Sequence, residues 1–107
     1  MTDFATVAAR CGYVTYYPHA ARHVGVKAAV LAACIIEWQQ HAGDLGAELS
    51  VEKIESITAL TYEEQRAARR VLRAANVLVE TARRLEHKTF YRIDIKAFAL
   101  LAQGSVT

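Results

Sequence analysis

Tyr62, Arg66, Arg69, Arg70 and Arg73 fall on one face of a helical wheel, while Ala68, Val71, Leu72 and Ala75 fall opposite. One side of such a helix packs and the other is a stripe of arginine. The chemistry this suits is polyanion recognition: a guanidinium grips phosphates, makes bidentate bonds to guanine edges, and rides on a helix whose width fits the DNA major groove. A second basic group follows in sequence, with Arg83, Arg84, His87 and Lys88 close together. From Arg66 to Arg92 the chain carries eight basic residues against two acids, a net +6, whereas the remainder holds five basic and nine acidic residues, a net −4. Clustered positive charge of this kind displaces counterions from a phosphate backbone, so nucleic acid is the first candidate partner.

Positioning these groups requires particular elements. Thr61-Tyr62-Glu63-Glu64 reads as a capping box, starting a helix at Tyr62 that runs to Ala75, with Asn76 as a left-handed terminator. Before it, Ser50 caps a short helix over 51–58 that turns Val51, Ile54 and Ile57 inward, and Ala59-Leu60 form the turn between the two. After it, 77–83 and 89–95 are strand-like, and 84–88 is the hairpin tip that carries the second basic group. Two helices, a tight turn and a basic hairpin make a helix-turn-helix over 51–75 followed by a wing over 77–95.

The rest of the chain supports that unit. Phe4, Val7, Ala8 and Cys11 predict an N-terminal helix over 3–11, and Pro18 starts a short helix reaching His23 before Gly25 breaks the chain. Val26 to about His41 reads as the central buried helix, with Trp38 expected in the core and Gly43 marking the end. Asp94 caps a last helix over 95–103, and a short strand is expected near Leu49. The fold class is mainly α with a small β-hairpin, a single winged helix-turn-helix domain over 1–107.

The stretch from Pro18 to Phe98, about three quarters of the chain, resembles the winged-helix domains of phage and plasmid replication initiators, also called replisome organisers. The resemblance is carried by Gly25-Val26-Lys27-Ala28-Ala29-Val30-Leu31 with Glu37-Trp38, by Leu60 to Arg66 with Ala68-Arg69, by Leu78-Val79-Glu80, and by Phe90-Tyr91-Arg92-Ile93-Asp94. It implies binding of double-stranded DNA, with Gln65, Arg66, Arg69 and Arg70 at bases or phosphates, in replication initiation or transcription control. Replication or transcription proteins would then be further partners. A protein-protein interaction module built on the same scaffold and basic surface is the alternative, since an acidic protein patch also suits a +6 surface.

Other chemistry finds little support. Hydrophobic residues make up 53% and charged residues 22%, enough to bury a core and far from a disordered composition. The longest apolar run, Ala28 to Ile36, is nine residues against the ~20 needed to cross a bilayer, and the start of the chain lacks a secretory signal, so a cytoplasmic location is expected. Cys11 and Cys34 stand 23 positions apart and read as reduced packing residues. His19 and His23 lack further ligands nearby for a metal, Glu64 is accounted for by capping, and no nucleophile triad or phosphate loop is evident. No catalytic activity, cofactor or metal is expected. Tyr13, Tyr16 and Tyr17 are expected to anchor the N-terminal segment on the core. A homodimer through the N-terminal or last helix is expected, because symmetric sites multiply the contacts of a small reader.

Overall fold

A helix over Val26–Gln39 (α2) organises the molecule, burying Ala28, Ala29, Leu31, Ala32, Cys34 and Ile35. Its alanines let backbones approach closely, and it packs against Pro18–Val24 (α1), Val51–Thr58 (α3), Tyr62–Ala74 (α4), Ala47–Glu48 (β1) and Lys88–Ile93 (β3). The remaining elements are the strand Leu78–Arg83 (β2), a 3₁₀ turn over Arg84–Glu86, and the helix Ile95–Ala102 (α5). This computed structural model describes residues 3, 5, 12 and 14–103. The helix expected over 3–11 lies, Asp3 and Ala5 apart, outside the described residues, as do Tyr13 and Cys11.

Among the described residues the architecture is mostly helical, five helices with a small antiparallel sheet of order β1-β3-β2. β2 and β3 pair from Leu78↔Ile93 out to Arg83↔Lys88, and β1 adds Ala47↔Tyr91 and Glu48↔Phe90. Alternation puts Ala47, Leu78, Tyr91 and Ile93 inward, where they join Ile54, Leu60, Ala68, Leu72 and Phe98 in one cluster with α2. Gly46 passes so close to β3 that an added Cβ would stand 2.7 Å from the Tyr91 carbonyl carbon, and its φ of 100° also favours glycine. Among the described residues no helix is long and apolar enough to cross a membrane.

Local signals place most boundaries. Pro18 opens α1, Gly25 at φ 91° separates it from α2, and the Asp94 carboxylate accepts from the Ala97 N–H to start α5. Asn76 at φ 62° ends α4 as expected: its N–H reaches the Arg73 carbonyl and the Val77 N–H reaches the Leu72 carbonyl, a Schellman closure. Two expectations for α2 are corrected. It ends at Gln39, before Gly43, which instead bridges to Gly46 in the loop leading to β1. Trp38 is not in the core but 41% exposed, because what α3 sets against it is Lys53, whose Nζ covers the ring at 4.8 Å and leaves the rest of it to solvent.

Candidate nucleic-acid interface

The turn between α3 and α4 is held by short-range hydrogen bonds. Ser50 accepts from the Lys53 N–H, and α3 closes at Ala59, a left-handed residue at φ 64° whose N–H reaches the Glu55 carbonyl at 2.7 Å. Thr58 donates to the Ile54 carbonyl and accepts from the Leu60 N–H, while the Leu60 side chain is buried. The capping box forms at Thr61: its hydroxyl accepts from the Glu64 N–H, and the Glu64 carboxylate accepts from the Thr61 N–H at 2.9 Å. Glu64 also takes Lys27 Nζ at 2.7 Å, tying α4 to α2. The Lys27 bond and then the Thr61 backbone pull the Glu64 carboxyl from 4.5 to about 2.

Gln65 is corrected outright. It is only 1% exposed, and its amide donates to the carbonyls of Val51 and Leu60 at 3.0 Å each, clamping the start of α3 to the turn. It cannot meet a base. The reason is the roll of α4: Gln65, Ala68 and Leu72 share a buried arc about 60° wide, Arg69 lies about 40° beyond one edge, and Val71 about 60° beyond the other. Val71 is therefore 39% exposed, where it was expected to pack, and with Val24, Val26 and Ala67 it lines an apolar groove of about 510 Å³.

The expected arginine stripe divides. Tyr62, Arg66 and Arg70 face solvent at a spacing of one turn each. Arg73, half exposed, pairs with Glu80 of β2 at 2.7 Å. Arg69, part-buried, turns toward the sheet instead of standing with the stripe: its guanidinium lies over the Tyr91 ring at 5.9 Å and donates to the phenol oxygen at 3.2 Å. Burial pushes the Tyr91 phenol up, opposed by the Arg69 charge. Helix and hairpin are thus joined by two of the arginines expected at DNA, Arg69 and Arg73.

At the hairpin tip Arg83, Arg84, His87 and Lys88 are all exposed, and Arg83 and Lys88 are directly paired across β2 and β3. Like charges opposite one another destabilise a ladder in the free protein. Among the described residues Arg66, Arg70, Arg83, Arg84 and Lys88 have no ion-pair partner. The hairpin base is fixed by a contact with no signal in the sequence: the Gln39 amide donates to the Ile93 carbonyl at 3.1 Å and accepts from its N–H at 2.7 Å, extending the ladder beside β1. His19 lies against Arg22 at 3.1 Å, and no group of three or more metal-binding side chains occurs among the described residues. No known protein family, curated protein or solved structure matches this chain.

Proposed function

We propose that the chain is a winged-helix protein that binds double-stranded DNA, with α4 in the major groove and the β2–β3 hairpin against the adjacent backbone or minor groove. The order α2-β1-α3-α4-β2-β3 and the β1-β3-β2 sheet suit such a domain. The observation that carries the reading is the set of five exposed cations, two on α4 and three at the hairpin tip, that have no acidic partner among the described residues. Electrostatic steering of this kind favours a polyphosphate over a neutral surface. Replication initiation or transcription control are the roles for which the sequence resemblance speaks. Two copies on a symmetric site would add base contacts, and α5 offers exposed Ile95 and Leu100 for that pairing.

The competing reading is a protein-docking module, favoured by the groove of Val24, Val26, Ala67 and Val71 beside α4. Titrations of a selected duplex and a scrambled one at several salt concentrations separate the two. Arg66→Ala and Arg70→Ala should cost about 1 to 3 kcal/mol on the selected duplex and relax base preference. Arg83→Ala, Arg84→Ala and Lys88→Ala should weaken both duplexes alike and each lower the log-log salt slope by about one. If all five variants bind both duplexes as the unmodified protein does, DNA binding by this surface is excluded.

A further inference from the structure

Leu85 is 99% exposed at the apex of the hairpin, the most exposed of the large apolar side chains described. Hairpin apices ordinarily take glycine, asparagine or aspartate, whose backbones suit the turn and whose side chains suit water. Here the Arg84–Glu86 3₁₀ turn, closed by the His87 N–H on the Arg84 carbonyl at 3.2 Å, holds the leucine outward, and His87 at φ 55° returns the chain to Lys88. Around it stand Arg83, Arg84, His87 and Lys88, with Glu86 the single acid of the tip. An apolar side chain presented in isolation has little area with which to hold a protein surface. Carried on a tip with Arg83, Arg84 and Lys88, it is suited to a partner that offers negative charge around a narrow apolar slot, which is what a minor groove offers between its phosphate walls when a base step opens.

We propose that Leu85 is a wedge: the basic tip draws the hairpin into the minor groove, and the leucine enters a base step, unstacks it partly and kinks the duplex. This deepens the DNA-binding reading and rests on it. The arginines and lysine hold the phosphates that line the minor groove on either side of the step, while Leu85 occupies the opened step. Pyrimidine–purine steps unstack most readily, so the wedge selects TA steps without a hydrogen bond to any base. The like-charged Arg83–Lys88 pair gains its counter-ions in the same event.

The test uses the full chain and a duplex of about two helical turns that carries TA steps, with 2-aminopurine at the adenines and a fluorophore pair at the ends. Binding is followed by anisotropy at several salt concentrations; unstacking is read from 2-aminopurine emission and bending from energy transfer. The unmodified protein should raise emission and shorten the end-to-end distance, Leu85→Phe should do the same, and Leu85→Ala should lose both. Leu85→Ala should also bind the TA duplex about threefold to tenfold more weakly, with its salt slope unchanged because no charge is removed. If the unmodified protein binds with a steep salt slope but leaves emission and distance unchanged, the wedge is wrong and DNA binding stands. A protein that binds no duplex at any salt concentration overturns both.

Discussion

The Arg69 guanidinium stands over the Tyr91 ring, its carbon 5.9 Å from the ring centre, with Nη1 3.2 Å from the phenol oxygen. This contact sets α4 against the hairpin, with Arg73–Glu80 one turn further along. Arg69→Ala should therefore cost about 1 to 2 kcal/mol of stability through the lost hydrogen bond and cation–π contact. Tyr91→Phe keeps the ring and should cost about 1 kcal/mol. Urea unfolding of both variants checks this, and equal stability of Arg69→Ala and the unmodified protein would contradict it.

Gln65 donates to two carbonyls, those of Val51 and Leu60, from one buried amide. Gln65→Ala should destabilise by about 2 to 4 kcal/mol, since it leaves the buried Leu60 carbonyl without its donor and a cavity behind. Gln65→Glu should be comparably damaging, because a carboxylate has no N–H to donate. Thermal unfolding checks both, and a loss below about 0.5 kcal/mol would show that the clamp is dispensable.

Glu64 predicts a pH dependence. Its carboxyl titrates at about 2 in the folded chain against an ordinary 4.5, so the folded state binds fewer protons and the contribution is complete above 4.5. It is lost as the pH falls from 4.5 toward 2. Glu64→Gln keeps the capping-box acceptor but gives up the charge on Lys27. The gap in unfolding midpoint between the unmodified protein and Glu64→Gln should therefore close over that window and stay constant above it. A gap independent of pH would contradict the ion pair. High salt should narrow the gap, since both partners reach solvent.

Arg83 and Lys88 set stability against binding. Lys88→Thr removes a like-charge pair and places a β-branched residue in β3, so it should raise stability by about 0.3 to 1 kcal/mol. The same change should weaken DNA binding and lower the salt slope by about one. Calorimetry and a salt-dependent titration on one sample check both signs. A variant that loses stability would mean that the pair carries no repulsion in the free protein.

Capping and turn chemistry were legible in the residues alone, because these interactions lie within a few positions along the chain. Ser50, Thr61 with Glu64, Asn76 and Asp94 each satisfy helix-end groups from that range, and each does so in the structure. Hairpin pairing was legible too, since period-2 patterning fixes which residues face the core. The roll of α4 was not. A helical wheel gives the angles between residues but not the direction of the core, and that direction is set by α2 on one side and the sheet on the other. The difference of a few tens of degrees took Gln65 inside, brought Val71 out, and turned Arg69 from the exposed stripe onto Tyr91. Trp38 surfaced and Gln39 was drawn to Ile93 for the same kind of reason: the contacts that place them come from elements 15 and 54 residues away, and local sequence carries no record of them. The residue types determined which elements form and where charge collects; tertiary packing alone decided which of those charges remain free.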